Sequence, residues 1–169
     1  MRIILPFETI VLKLRINSIN SQPKISIMER KTNWLAIVVS VVVSMLVGFL
    51  WYGLLFSQQW MEGNGITLEG EKLFKNGVEM PMSNTPMIFN TVAMVFYALV
   101  MNWLLGRMGV NTWMDGAKTG GAIGLMMAAG VYTGNLFANN PASLSMVDGL
   151  YSLVLFVIIG AIVGGWRKE

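Results

Sequence analysis

Three ionisable residues, Asp115, Lys118 and Asp148, fall within otherwise uncharged apolar stretches of this chain. A charge placed in hydrocarbon costs at least about 2.5–3.5 kcal/mol, so such residues are functional candidates by default. Asn135 and Tyr151 lie near Asp148 at the ends of two successive apolar stretches, and together they form the sharpest candidate polar site, suited to an ion, a proton or a small solute. A plainer role competes with that one. In "TWMDG", Thr112 and Asp115 have the spacing of a capping box, and Ser145 and Asp148 repeat it in "SMVDG". Each aspartate would then meet the free N–H groups and the positive dipole end of a helix start. Lys118, one turn beyond Asp115, can pair with it or extend its ammonium to the headgroups.

Other chemistry is thinly represented. Cysteine and histidine are both absent, which removes disulfides, thiolate nucleophiles, imidazole bases and the usual zinc and haem ligand sets. Fourteen methionines are present, but without a dense Met-x-x-Met series in an exposed loop they read as packing and lipid-facing side chains. Ser, Thr, Asp and Lys have no partners at a recognisable catalytic spacing. The expectation is a protein that is not an enzyme and needs no cofactor or metal. Asn90, Asn102 and Thr133 read as donors and acceptors between helices.

These residues need a scaffold, and composition identifies its solvent. The chain is 54% hydrophobic and 12% charged, with a mean hydropathy of +0.59. A soluble fold of 169 residues has too little interior to hide that much apolar surface. Several windows of about 20 residues carry no charge, the length that crosses a hydrocarbon core of about 30 Å. The fold class expected is therefore an all-α membrane protein, an up-down bundle of four transmembrane helices with the lipid bilayer as its first partner.

The spans fall at about 34–56, 86–106, 113–137 and 146–166, within a transmembrane domain covering 28–169. Trp34 marks one interface of span one, and Trp51, Tyr52 and Trp60 the other. Residues 61–85 form a polar loop whose Asn76-Gly77 pair fits either a hairpin turn or the left-handed cap of a short helix. Thr85-Pro86 is a favourable opening for span two. The short connections "RMGVN" and "ANNPAS" make spans two, three and four successive antiparallel neighbours.

Small residues recur every fourth position: Ser40, Ser44 and Gly48 on span one, Gly116, Gly120, Gly124 and Ala128 on span three, Gly160 and Gly164 on span four. In lipid such strips let helix backbones approach and gain dispersion contact. The partner is either another span or another copy, so a homo-oligomer or a small subunit beside another membrane protein is the leading functional expectation. A small-solute or ion transporter using Asn135, Asp148 and Tyr151 is the alternative.

The net charge of +3 and pI near 9.3 do not signal a nucleic-acid partner, because the cations sit at the ends of apolar runs. Arg30, Lys31, Arg107, Lys118, Arg167 and Lys168 fall on one side, whereas Lys72 and Lys75 on the other lie among four glutamates. Both termini are therefore expected in the cytoplasm of a multi-pass protein of the cell membrane. Residues 1–27 read either as an amphipathic segment on the lipid surface or as translated sequence upstream of a start at Met28, the second being favoured.

The run "NWLAIVVSVVVSMLVGFLWYGLLFSQQWMEGNGI", followed by "MDGAKTGGAIGL" and "DGLYSLVLFVIIGAIVGGWRK", resembles the small bacterial membrane proteins grouped as Domain of Unknown Function 1761. The resemblance covers about Asn33 to Lys168 and is carried by Asn33-Trp34-Leu35, Trp51-Tyr52-Gly53, Asp148 with Tyr151, and the terminal "GAIVGGWR". It implies a four-span bacterial inner-membrane protein without an established activity. Similar sequences often carry histidine just after the span-four tyrosine, where this chain has Ser152.

Overall fold

The computed structural model describes residues 32–167. The expectations for residues 1–27, for a start at Met28 and for Arg30, Lys31 and Lys168 lie outside the described residues. Helix α1, Trp34–Phe49, runs directly into a π-helical segment, Leu50–Leu55. A short helix α2, Ser57–Gly63, leads to three strands, β1 (Ile66–Glu69), β2 (Lys72–Lys75) and β3 (Val78–Glu79). Three long helices follow: α3 (Thr85–Arg107), α4 (Trp113–Phe137) and α5 (Ala142–Gly165).

The strands form one antiparallel meander in the order β1-β2-β3. Its second turn decides between the two roles open to Asn76-Gly77. Lys75 pairs with Val78 around two residues with φ of 51° and 81°, the doubly left-handed pattern of a tight hairpin turn matched to strand twist. The segment between spans one and two is thus a built β-element.

Helix α1 is inverted relative to a soluble amphipathic helix. Its buried face carries Ala36, Ile37, Ser40 and Ser44, whereas Leu35, Val38, Val42, Leu46 and Phe49 are exposed. Small and hydroxyl side chains inside with large apolar ones outside is the arrangement that hydrocarbon solvent favours. Among the described residues, three helices are long and apolar enough to cross a membrane: Trp34–Leu55, Thr85–Arg107 and Ala142–Gly165. Helix α4 has the length, 25 residues, but its glycines, Asp115 and Lys118 dilute its apolarity.

Helix α5 is the centre of the assembly. It packs along α4, and α1, α2 and α3 also rest on it, while α3 and α4 barely touch. The core joins Ile37 of α1, Met94, Ala98, Met101 and Leu105 of α3, and Leu155, Ile159 and Val163 of α5. The α4–α5 seam is made of glycine. A methyl group on Gly116 would strike the Gly160 carbonyl, and one on Gly120 the Phe156 carbonyl. Gly124 faces the Leu153 backbone, and Gly164 lies against the Thr112 carbonyl and the Gly116 Cα. The partner of these glycine strips is therefore a neighbouring helix of the same chain.

Two short turns reverse the chain. At Gly109, φ 69°, Val110 N–H donates to the Leu105 carbonyl at 3.0 Å. At Asn139, φ 56°, Asn140 N–H donates to the Asn135 carbonyl at 2.9 Å. Both are left-handed caps closing a helix onto its last free carbonyls.

Contacts at the helix ends fix which ends lie together. Asn33 Nδ2 donates to the Trp166 carbonyl at 2.7 Å, and Arg167 donates to the Asn102 carbonyl and side chain. The start of α1 and the ends of α3 and α5 therefore meet, joined by the start of α4 through Thr112 and Gly164.

The expected cap at the start of span four is corrected. Helix α5 begins at Ala142 behind Pro141, whose φ of −65° and ψ of 148° place it at the N-cap. Ser145 lies inside the helix, buried, with its hydroxyl directed to the Pro141 carbonyl at 3.4 Å. Proline sets the entry angle without a donor to lose, so the helix starts about one turn early. Ser145 and Asp148 are consequently not capping residues. At the start of α4 the Thr112 hydroxyl accepts from Asp115 N–H at 3.1 Å and donates to Asp115 Oδ2 at 2.9 Å. Lys118 Nζ lies 3.1 Å from Asp115 Oδ1 on the exposed surface.

Candidate polar site at the joined ends of α1, α4 and α5

Because α5 starts early, Asp148 stands nearly two turns inside it, half-buried and available to other helices. Tyr52 Oη donates to its Oδ1 at 3.1 Å, and Asn135 Nδ2 donates to its Oδ2 at 3.2 Å. One carboxylate thus ties the π-helical end of α1 to the last turn of α4. Both donors are neutral, and among the described residues no lysine or arginine forms an ion pair with Asp148.

Each donor is positioned by local structure. The left-handed Asn139 lets Asn140 fold back, and Asn140 Nδ2 donates to Asn135 Oδ1 at 2.8 Å. That bond occupies the oxygen end of the Asn135 amide and turns its nitrogen toward Asp148. On α1, Phe56 N–H reaches the Trp51 carbonyl at 2.8 Å, an i→i+5 bond. This wider coil brings two consecutive aromatic residues onto the same neighbour: Trp51 Nε1 donates to the Val147 carbonyl at 3.1 Å while Tyr52 reaches Asp148. Segments of this kind are uncommon and concentrate at functional sites.

An aromatic wall closes one side. The Tyr52 ring lies 4.8 Å from Tyr151 and 5.7 Å from Trp60, and Trp51 lies 6.1 Å from Tyr151. Tyr151 is a wall residue here: a methyl on Gly48 would sit 3.0 Å from its hydroxyl oxygen. Ser152 hydroxyl donates to the Asp148 backbone carbonyl at 3.0 Å and so faces the helix rather than the carboxylate.

Of the residues expected at this place, Asn135 and Asp148 are in direct contact and Tyr151 stands one turn away. Tyr52, Trp51 and Asn140 were not expected as site residues. In the sequence Trp51-Tyr52 fits an interfacial aromatic pair, and its signal for a site is the adjacency of two ring donors at a helix end. Asn140 could have been found from Asn139-Asn140-Pro141, where an asparagine suited to a left-handed helix cap stands two residues before a proline that ends the turn.

Chemically, the cluster offers one carboxylate with two neutral donors and an aromatic wall. It can hold a positive charge or a proton. Among the described residues no group of three His, Cys, Asp or Glu side chains converges on a metal position.

No curated relative and no solved structure matches the chain. A family described as "Protein of unknown function (DUF1761)" matches residues 35–164, a stretch that runs from α1 nearly to the end of α5 and includes every member of the Asp148 cluster. The chain belongs to that family, DUF1761.

Proposed function

We propose that this chain is a four-span, non-enzymatic integral membrane protein of the bacterial cytoplasmic membrane that binds a small cation at Asp148. The observation carrying the proposal is the carboxylate itself: two turns inside α5, held by Tyr52 and Asn135, and lacking a cationic protein partner among the described residues. A carboxylate kept at such a position without a counter-ion invites one from outside.

Helix α4 supports the four-span reading by direction. The start of α5 lies with the end of α1, whereas the end of α3 lies with the end of α5. A chain leaving α3 on one side must therefore return to the other before α5 begins, and α4, at about 1.5 Å per residue over its 25 residues, covers that distance. Arg107, Lys118 and Arg167 lie on helix ends that meet at the start of α1, and this cluster of cations supports a cytoplasmic location for that side. Asp148 then opens to the outside.

Association with a second copy or another membrane protein remains part of this reading, through a different surface from the glycine seam. Methyl groups at Gly130 and Gly134 would meet nothing within 4 Å, so the outer half of α4 keeps a narrow face free for another helix.

The test is a titration of the purified protein with Na⁺, K⁺ and methylammonium, followed by the fluorescence of Trp51 and Trp60 beside the site. A saturable change that Asp148→Asn abolishes is expected. Absence of any saturable response contradicts cation binding. The second reading, transport, is motivated by the Asp148 carboxylate shared between α1, α4 and α5; flux of the same cations into liposomes that responds to Asp148→Asn supports it, and unchanged flux removes it.

A further inference from the structure

We propose that the β1–β3 meander lies on the outer leaflet with one face in the lipid headgroups, so that the lipid surface is its docking partner. The inference rests on the membrane-spanning reading of α1 and α3. Register sorts the side chains of the sheet: Ile66 pairs with Lys75, Leu68 with Leu73 and Lys75 with Val78. Paired residues share a face and alternate residues share it too, so Ile66, Leu68, Leu73, Val78 and Lys75 point the same way. The other face carries Thr67, Glu69, Lys72 and Glu79 around Phe74, and its Lys72–Glu79 pair closes at 2.8 Å. A solvated face of that kind leaves the apolar one to be explained.

Leu68 is 61% exposed and Val78 70% exposed, with Leu73 also open. The inner end of the same face is Ile66, which is buried. The preceding helix α2 presses Gly63 against Leu144 at the start of α5. The apolar face therefore begins on the helix bundle and continues outward past its edge. Beyond β3, the connection to α3 carries Met82, 93% exposed, and the first turns of α3 expose Met87, Ile88 and Phe89. Exposed apolar side chains thus continue along the chain from the lipid-facing belt of α3 back to the sheet, which is tethered to one span through α2 and to the other through residues 80–84. Lys75, at the end of this face, can keep its stem among the apolar side chains and direct its ammonium to a phosphate. Interfacial apolar faces of this sort settle about 5–10 Å into the headgroup region.

The chain has no cysteine, so a single introduced thiol can carry an environment-sensitive fluorophore. Leu68→Cys, Thr67→Cys and the lipid-belt control Val92→Cys, each labelled in the full chain, would be placed in phosphatidylcholine–phosphatidylglycerol vesicles containing shallow spin-labelled lipid. Quenching at position 68 several-fold stronger than at position 67, approaching that at 92, is the expected result. Equal quenching at 67 and 68 overturns the proposal. Protection of position 68 from aqueous iodide without lipid quenching also overturns it and assigns the face to a second copy or another protein. Loss of lipid quenching at 92 instead removes the membrane-spanning reading itself.

Discussion

The Tyr52 hydroxyl donates to Asp148 Oδ1 at 3.1 Å across 96 residues of sequence, so the π-helical end of α1 and the start of α5 are held at a single oxygen. Asn135 takes the other oxygen, and three helices converge on one side chain. The cluster is structural and chemical at once, and its members can be separated by substitution.

Tyr52→Phe removes one donor while leaving the ring against Tyr151 and Trp60. Hydrogen bonds between membrane helices average about 0.6 kcal/mol and reach about 1.7, and this one serves a carboxylate. A loss of about 1 kcal/mol in reversible unfolding in mixed micelles is expected, together with weakened cation response. An unchanged response would show that Tyr52 only packs.

The glycine seam gives a sharper contrast. Gly160→Ala would press a methyl onto the Gly116 carbonyl, backbone that has no room to yield, and overpacking of this kind costs about 1–3 kcal/mol. Gly130→Ala meets nothing within 4 Å and removes a glycine from a helix, a gain of about 0.5–1 kcal/mol. Thermal unfolding followed by circular dichroism should lower the midpoint for the first variant and hold or raise it for the second.

Ser44 is fully buried, and its hydroxyl has no hydrogen-bond partner among the described residues. Leaving such a group unsatisfied costs about 1–3 kcal/mol, which its removal relieves. Ser44→Ala should therefore be neutral or more stable in the same unfolding assay. Clear destabilisation would reveal a partner for the hydroxyl.

Gly77 sits at φ 81° in the hairpin turn, a conformation that costs an L-residue about 1–2 kcal/mol. Gly77→Ala should accelerate amide exchange of Met80, whose N–H donates to the Leu73 carbonyl at 2.8 Å. Exchange in the core of α5 should stay unchanged.

Apolar run length made the long helices legible in the sequence, and the four-residue spacing of Gly116, Gly120 and Gly124 marked a packing face. The identity of the partner helix was not legible, because small-residue strips look alike whichever backbone they meet. The start of α5 is masked in the sequence because "SMVDG" has the spacing of a cap, while Pro141 sets the helix entry one turn earlier. That shift converts Asp148 from a capping residue into an inter-helix acceptor. Asn135 and Asp148 were legible as polar groups at neighbouring ends. Tyr52 was not, since its reach depends on the i→i+5 coil of Leu50–Leu55, and nothing in an apolar run announces that change of period.

If α4 crosses the bilayer, it carries the Asp148 cluster to the outer face. The direct measurement is reaction of single cysteines with a membrane-impermeant thiol reagent in intact cells, at Glu71→Cys in the meander, Met108→Cys before α4 and Ala138→Cys after it. Positions 71 and 138 should react from outside, and 108 only after the membrane is opened. Reaction of 108 and 138 from the same side would contradict this, since α4 would then not cross.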